Sequence, residues 1–355
     1  MHASAILIHS LKGHTFEVGR LLFSPDRKIL AATDDSFITL WDVETGTLRS
    51  TSEEVDDIIF DIVFSPDNKW IAAASGDGYG RVWNIETGDL VHTLEVEDER
   101  MLSVAFSADS KSIATGSEIM RVWDVATGKL LHTLSRSEYP PEIGSVDFSP
   151  DGKFLLSGCG NTSTVSIWNT ESWKLEHTIR GYYSACFSPD GMHLAVPTDE
   201  HEIIHLYDTR TWQLQSTLKT PEQETFASRF SPDSKTIATY SRHQIKLWCV
   251  ENGKVIRTFQ DPTRKLSSPT FSPDGKVLIA GARKCGLRVW EVESGDCLLM
   301  FEPEDGDRRR WNPSGGRAGP PAFEILFGDG KAKVAVAFPD GSIRLWDVRW
   351  ESEST

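Results

Sequence analysis

The sequence has no long apolar segment and too few positive charges to balance its negative ones. No apolar run approaches the roughly 20 residues that a membrane-spanning helix requires. The chain carries 37 lysines and arginines against 52 aspartates and glutamates, a formal net charge of −15. An acidic protein gains little from the phosphates of nucleic acid or anionic lipid unless its basic side chains are segregated. We therefore expect neither a membrane nor a nucleic acid as partner.

Cysteine is also scarce. The chain has five cysteines, and no two of them have the Cys-x-x-Cys spacing: Cys159, Cys186, Cys249, Cys285 and Cys297. An odd number without paired spacing argues against a disulfide framework and against a zinc knuckle, so we expect reduced thiols and no bound cofactor. Residues 1–10 lack a basic start and a small-residue cleavage site, so we expect no secretory signal. The expected location is the cytoplasm or the nucleus.

The chain does contain a repeated strand ending, in which an aromatic residue is followed by a small or polar one. The eight copies are Trp41-Asp42, Trp83-Asn84, Trp123-Asp124, Trp168-Asn169, Tyr207-Asp208, Trp248-Cys249, Trp290-Glu291 and Trp346-Asp347. Their successive spacings are 42, 40, 45, 39, 41, 42 and 56 residues. A period in this range is typical of propellers and solenoids.

One repeat, residues 101–134, contains four short stretches of strand-like alternation. A Phe-Ser-Pro-Asp turn precedes most second strands, starting at Phe23, Phe64, Phe148, Phe187, Phe230 and Phe271. Pro and Asp favour a tight turn there, and a later Thr-Gly or related pair such as Thr45-Gly46 favours a second one. Each repeat is thus predicted to form four antiparallel strands, a to d.

These motifs resemble the WD-repeat β-propeller family, and the resemblance covers the chain except residues 302–321. It implies blades of four strands in which His, Ser or Thr, Asp and Trp side chains form a hydrogen-bonded tetrad. His14, Thr33, Asp35 and Trp41 match the four places in the first blade. Other repeats depart from the pattern.

The number of blades follows from a count of strands. Residues 5–11 are predicted to form a lone d strand, whereas the chain stops soon after its last c strand at Trp346. The N-terminal strand can therefore complete the C-terminal blade, which predicts an all-β, eight-bladed propeller with seven blades as the alternative. Residues 1–355 would form one domain with a loop insertion at 302–321.

Two groups of residues raise the question of an enzyme. His201-Glu202-Ile203-Ile204-His205 spells the zinc-protease pattern, but on a strand its two histidines would stand about 13 Å apart. Ionisable residues also fall on the predicted a strands, at Arg20, Asp61, Asp147, Arg229 and Glu324. Structural ion pairs explain these residues as well as a catalytic site at the axial channel does. We expect no catalytic and no metal-binding residues.

The resemblance implies that the d–a and b–c loops share one end of the ring, here called the top face. Acidic residues fall there in blades 1 to 3: Asp34, Asp35, Glu53, Glu54, Asp56, Asp57, Glu95, Glu97, Asp98, Glu99 and Glu118. Basic residues fall there in blades 6 to 8: Arg242, His243, Arg264, Lys265, Arg283, Lys284, Arg308, Arg309 and Arg310. The pattern predicts a bipolar docking surface, and solvated loop charge is the alternative.

The insertion at 302–321 is rich in Pro, Gly and charge, which makes it a poor core former. Trp311 beside Arg308, Arg309 and Arg310 is its strongest candidate anchor for a partner, because Trp and Arg are enriched at interface hot spots. A solvated linker whose Trp folds back onto blade 8 is the alternative.

The sequence therefore predicts a non-catalytic scaffold for protein or peptide partners, either a monomer or a subunit of a larger complex. Trp346-Asp347-Val348-Arg349 resembles the WDxR ending of WD-repeat substrate receptors for cullin-RING ubiquitin ligases, which gives a narrower alternative. A hydrolytic or metal-dependent enzyme with a site at the axial channel is the alternative of another class.

Overall fold

A computed structural model describes residues 2–351 except 15–16, 97–98, 136–141, 183, 199–202, 220–226, 242, 262–265, 267–268, 283–285, 303–322, 329–330 and 339. Every regular secondary-structure element in these residues is a β-strand. Within the same residues there is no helix with the length and apolar character needed to cross a membrane.

The first half of the chain forms an N-terminal strand and four sets of four strands. The N-terminal strand is β1 (His2–Lys12). Blade 1 is β2 (Arg20–Phe23), β3 (Ile29–Thr33), β4 (Ile38–Asp42) and β5 (Leu48–Thr51). Blade 2 is β6 (Ile59–Phe64), β7 (Trp70–Ser75), β8 (Tyr79–Asn84) and β9 (Leu90–Glu95). Blade 3 is β10 (Ser103–Phe106), β11 (Ser112–Gly116), β12 (Met120–Asp124) and β13 (Leu130–Leu134). Blade 4 is β14 (Ile143–Phe148), β15 (Phe154–Cys159), β16 (Thr164–Asn169) and β17 (Leu175–Arg180).

The second half forms the remaining blades. Blade 5 is β18 (Cys186–Phe187), β19 (His193–Pro197), β20 (Ile203–Asp208) and β21 (Gln213–Lys219). Blade 6 is β22 (Ala227–Phe230), β23 (Thr236–Tyr240), β24 (Gln244–Cys249) and β25 (Val255–Gln260). Blade 7 is β26 (Thr270–Phe271), β27 (Val277–Ala282), β28 (Gly286–Glu291) and β29 (Cys297–Phe301). Blade 8 is β30 (Phe323–Gly328), β31 (Lys331–Ala337), β32 (Ser342–Glu351) and β1.

The strands form eight four-stranded antiparallel sheets. In each sheet the strands lie in the order a, b, c, d, and neighbouring a strands such as β2, β6, β10 and β14 contact one another. The a strands are therefore innermost, around the ring axis, and the d strands form the rim. The eight-bladed propeller is confirmed, and the seven-bladed alternative is wrong.

Blade 8 closes the ring as predicted, by pairing the two ends of the chain. Strand β1 runs antiparallel to β32, with Leu7 opposite Trp346 and Leu11 opposite Ile343. Leu11 is buried in a cluster that joins blade 8 to blade 1. Without β1, the β32 edge would be left unpaired, so this pairing removes an open sheet edge as well as covering apolar surface.

The core lies between the blades. Trp83 of blade 2, for example, packs with Ile38, Leu40 and Val55 of blade 1 and with Ile71 of its own blade. On the other face of blade 2, Val82 and Leu94 pack with blade 3. The alternation of side chains along each strand thus lets one sheet bury both of its faces.

The turns between a and b strands have the chemistry that Phe-Ser-Pro-Asp predicts. In blade 1 the Ser24 hydroxyl donates to Asp26 at 2.7 Å and accepts the Ile29 amide at 3.0 Å. Asn68, at the next turn, is left-handed with φ of 60°. Its side-chain oxygen accepts the Asp26 amide at 2.8 Å, so this residue also links two blades.

The tetrad of blade 1 exists, but two of its four predicted members are wrong. His14 Nδ1 lies 2.8 Å from Asp34 Oδ2, and His14 Nε2 lies 2.7 Å from Thr39 Oγ1. The indole of Trp41 donates to Thr39 Oγ1 at 2.9 Å. The members are therefore His14, Asp34, Thr39 and Trp41.

Strand geometry explains both corrections. Trp41 is in register with Leu30 and Thr39 with Ala32, so Thr33, one residue further, faces the opposite side of the sheet. Its hydroxyl is buried and has no hydrogen-bond partner in the described structure. Asp35 is exposed, whereas Asp34 accepts the amides of the following turn through its other oxygen.

The tryptophan bond of the tetrad recurs in three other blades. The indole donates to a b-strand hydroxyl in the pairs Trp123 with Thr115 at 2.9 Å, Trp168 with Ser157 at 3.3 Å and Trp248 with Thr239 at 2.9 Å. By register these hydroxyls stand where blade 1 has Ala32. In blade 1 a c-strand threonine therefore takes over from the b-strand hydroxyl.

Candidate functional site

The d–a and b–c loops meet at one end of the ring, which is the predicted top face. The amides of Val55 and Ile59 donate to the carbonyls of Ser36 and Asp35. The same arrangement recurs one blade on, where the Met101 amide donates to the Ser75 carbonyl. The d–a loops that follow blades 1 and 2 are thus fixed against the b–c loops of those blades, so the charges on both kinds of loop share one surface.

Exposed carboxylates cover this surface in blades 1 to 3. We call the following set the acidic arc: Asp35, Glu53, Glu54, Asp56, Asp57, Glu95 and Glu118. In the described part of these loops, Arg100 is the one exposed cation. The negative charge therefore has little internal compensation.

The other predicted partner-binding residues fall mostly outside the described residues. Of the predicted acidic residues, Asp34 is buried in the tetrad and Glu99 is ion-paired with Arg121 at 3.2 Å. Glu97 and Asp98 lie outside the described residues, as do Arg242, Arg264, Lys265, Arg283, Lys284, Arg308, Arg309, Arg310 and Trp311. His243 is half-buried in the b–c loop of blade 6, where its carbonyl accepts the Asp261 amide. The basic half of the surface stays a prediction.

The axial channel gathers the five ionisable a-strand residues at two heights. Asp147, Arg229 and Glu324 each directly precede the a-strand residue that is in register with the c-strand tryptophan. Arg20 and Asp61 precede the corresponding residue by three positions. Two residues of strand separate these layers by roughly 7 Å.

The layer that contains Arg229 also holds the carboxyl groups of Asp147 and Glu324. Burial raises the pKa of Asp147 to about 6 and that of Glu324 to about 7, although the positive charge of Arg229 opposes both shifts. The side chain of Asp147 is exposed to the channel. Its pKa is raised because the surrounding strands enclose the carboxyl group, although solvent still reaches it. In the described structure neither carboxylate forms an ion pair.

The other layer is linked from blade to blade. Arg20 pairs with Asp61 at 3.0 Å, and Asp61 accepts the Ser103 hydroxyl at 3.0 Å. Ser103 in turn accepts the Val146 amide at 3.2 Å. Burial raises the pKa of Asp61 even though Arg20 lowers it. This chain joins blades 1 to 4, so the structural ion pair is the role that the geometry gives to Arg20 and Asp61.

The described residues contain no cluster of three or more His, Cys, Asp or Glu side chains suited to a metal ion. His205 lies on strand β20, as the sequence predicted, whereas His201 and Glu202 lie outside the described residues. Among the described residues, Cys159, Cys186, Cys249 and Cys297 form no disulfide bond, and burial raises the pKa of the Cys186 thiol.

Sequence reasoning missed the arginines of the c strands. Arg81, Arg121, Arg288 and Arg344 each stand two residues before the c-strand tryptophan, at the place of Thr39 in blade 1. Arg288 is buried and binds Asp261 at 2.6 Å and Glu302 at 3.2 Å. Their common spacing from the tryptophan could have revealed these arginines in the sequence, because it puts each of them on the face of its blade that packs against the preceding blade.

Comparison with known proteins agrees with the geometry. The profile of the WD domain, G-beta repeat, matches residues 5–42, 46–84, 128–169 and 253–291. The crystal structure of the computationally designed Ika8 protein superimposes with a TM-score of 0.76 at 21% identity, covering 95% of this chain and 98% of that one. Four stretches of the chain therefore match WD repeats, and the described strands form an eight-bladed β-propeller.

Among curated proteins, the similarity is confined to parts of larger chains. Human WD repeat-containing protein 36 is 37% identical over 54 residues, 14% of this chain and 6% of that protein. WD repeat and SOCS box-containing protein 1 of Xenopus tropicalis is 33% identical over 73 residues, 20% of this chain and 17% of that protein. U3 small nucleolar RNA-associated protein 12 of Saccharomyces cerevisiae is 27% identical over 122 residues, 34% of this chain and 11% of that protein. The matches therefore span less than a fifth of each of these relatives.

Proposed function

We propose that the protein is a non-catalytic scaffold that docks basic protein or peptide partners on its top face. The acidic arc carries this proposal, because its exposed carboxylates share one surface and have little internal compensation. Complementary charge governs encounter rate and register more than final affinity. A partner should therefore present basic residues over blades 1 to 3, and its binding should weaken as salt increases.

The test is affinity capture of partners from the native lysate, read by mass spectrometry at low and high salt. Asp56→Lys with Glu118→Lys reverses two charges of the arc, and Glu86→Lys with Glu171→Lys reverses two exposed charges on the c–d turns at the opposite end. We expect the first pair to lose partners that the second pair keeps. Equal losses, or none in either variant, would contradict the proposal.

The basic half of the predicted bipolar surface belongs to the same proposal. Arg283→Glu with Lys284→Glu should weaken capture of a partner that carries both charge signs, and the loss should again depend on salt. An unchanged set of partners would limit the docking surface to the acidic arc.

A substrate receptor of a cullin-RING ubiquitin ligase is a second candidate. In the WDxR ending, the side chain of Arg349 is 58% exposed and lies 3.4 Å from Asp347, which Lys333 also binds at 3.0 Å. Asp347 therefore contacts an exposed arginine on the c strand of blade 8, and a relative is named for a SOCS box beside its WD repeats. Capture of the ligase adaptor that Arg349→Ala abolishes would support this role, and a capture lacking the adaptor would count against it.

The enzyme alternative is tested separately. Purified protein should contain no stoichiometric metal and show no hydrolytic turnover if the scaffold proposal is right. Activity abolished by Glu324→Gln would place an enzyme site in the channel instead.

A further inference from the structure

A cleft of about 260 Å³ lies between blades 1 and 2, within the acidic arc. Tyr79, Arg81 and Trp83 alternate along β8, so their side chains share the face that packs against blade 1. Glu53 and Glu54, on the loop between β5 and β6, line the cleft as well. Small-molecule pockets usually measure about 300–1,000 Å³. This cleft is therefore suited to one long side chain and too small for most cofactors.

Arg81, which carries the positive charge inside the cleft, is already ion-paired within its own blade. Arg81 binds Asp77 of its own blade at 2.7 Å and the Ser75 hydroxyl at 3.0 Å. Burial opposes ionisation of Asp77, but the hydrogen bonds from Arg81 and Ser75 lower its pKa overall. Arg81 is thus neutralised within blade 2 and leaves the loop carboxylates uncompensated.

In two other blades, a carboxylate of the corresponding d–a loop pairs with the c-strand arginine. In blade 3 the equivalent Arg121 pairs with Glu99, on the loop that comes from the preceding blade, at 3.2 Å. In blade 7 Arg288 likewise pairs with Asp261, from the loop after blade 6, at 2.6 Å. In both blades the preceding d–a loop is closed onto the c-strand arginine by an ion pair.

Blade 2 lacks that closure. In the described part of the chain, no ion pair or side-chain hydrogen bond involves the carboxylate of Glu53 or Glu54. Two negative groups therefore flank an open cleft at the place where blades 3 and 7 hold an internal arginine. A cation from outside would restore the pairing that blade 2 has lost.

The rest of the cleft is suited to an amphipathic side chain. Leu90 is in register with Trp83 and is 41% exposed, which makes one end of the cleft apolar. Thr93 stands opposite Arg81 on the same face. Long cationic side chains pack their methylene stems on apolar surface and keep the charged group in a polar, hydrated place.

We propose that this cleft binds an arginine side chain presented by a partner protein or peptide. The stem packs on Leu90 and the guanidinium meets Glu53 and Glu54. Arginine suits the site better than lysine, because a planar guanidinium can bond two carboxylate oxygens at once and is less strongly hydrated. This inference rests on the docking role proposed for the acidic arc and names the partner group that one part of the arc recognises.

Fluorescence anisotropy with a labelled glycine- and leucine-flanked peptide carrying one arginine tests the proposal. The matched probe has citrulline, a neutral isostere, in place of arginine. We expect about tenfold weaker binding of the citrulline peptide, and about tenfold weaker binding of the arginine peptide by the Glu53→Gln, Glu54→Gln variant. The Glu86→Gln, Glu171→Gln variant is the control and should bind as the wild type does. Thr93→Arg should abolish binding by placing a cation of the chain itself in the cleft.

Two results would overturn the cleft assignment: equal binding of the two peptides by the wild type, or equal binding of the arginine peptide by the wild type and the Glu53, Glu54 variant. If the second result is accompanied by a loss with Asp56→Lys, basic peptides dock elsewhere on the acidic arc and the proposed function stands. If Asp56→Lys also changes nothing, both the cleft and the docking role of the arc are wrong.

Discussion

Replacing Glu324 with glutamine should remove a pH-dependent cost to folding stability. In the folded channel the pKa of this carboxyl is about 7, against an ordinary value of 4.5, because burial penalises the charge more than Arg229 compensates it. Since the folded pKa is the higher one, the folded state binds more protons than the unfolded state between these values. Stability is therefore greatest on the acid side and falls as the pH rises through 7.

The size of the effect follows from the shift. At about 1.36 kcal/mol per pKa unit, going from 4.5 to about 7 corresponds to about 3 kcal/mol in full. Between pH 5 and pH 8 about 2 kcal/mol of it should be lost from the wild type, since the unfolded carboxyl is already partly ionised at pH 5. The glutamine variant carries no charge at this position and loses none of it.

Guanidinium unfolding followed by tryptophan fluorescence measures the difference at both pH values. Other groups titrate alike in both proteins, so the stability of Glu324→Gln relative to the wild type should rise by about 2 kcal/mol from pH 5 to pH 8. Glu171→Gln, an exposed site on a c–d turn, should show no such change. A constant difference between Glu324→Gln and the wild type across this range would refute the reasoning, whatever its sign.

Three further predictions concern the blades and the insertion. Thr39→Val should lower the free energy of unfolding, measured by chemical denaturation, by about 2 kcal/mol because it leaves His14 and Trp41 without their shared partner. Thr33→Val should not change it, because the Thr33 hydroxyl has no hydrogen-bond partner in the described structure. The reverse order would contradict the observed tetrad. Asp261→Ala should lower the free energy of unfolding by about 3 kcal/mol because it deprives buried Arg288 of its closest partner. The double change Arg288→Met, Asp261→Leu removes both charges and should cost clearly less; equal losses would indicate packing instead. Deleting 306–319 should preserve the circular dichroism spectrum and the unfolding midpoint but remove a captured ligand, and loss of folding would make the segment structural.

The candidate site was predictable in part. The resemblance to WD-repeat propellers predicted that the loops carrying Asp56 and Asp57 lie on one face, and both residues are exposed there. The cleft could not be found in this way, because it depends on whether Arg81 turns to Asp77 or to the neighbouring loop. Both ion pairs satisfy the same sequence pattern, and packing between blades decides which one forms.

The repeated Trp ending, the turn residues and the spare N-terminal strand were enough to predict the number of blades and the closure of the ring. These features are local and periodic, so a short stretch of sequence carries each of them. Tertiary structure alone decided that Thr39 and Asp34 complete the tetrad, because the side of a strand on which a residue lies depends on register, and a shift of one residue reverses it. It also decided that Asp147 and Glu324 share a layer with Arg229, since the heights of residues on separate strands are fixed only when the blades pack around the axis.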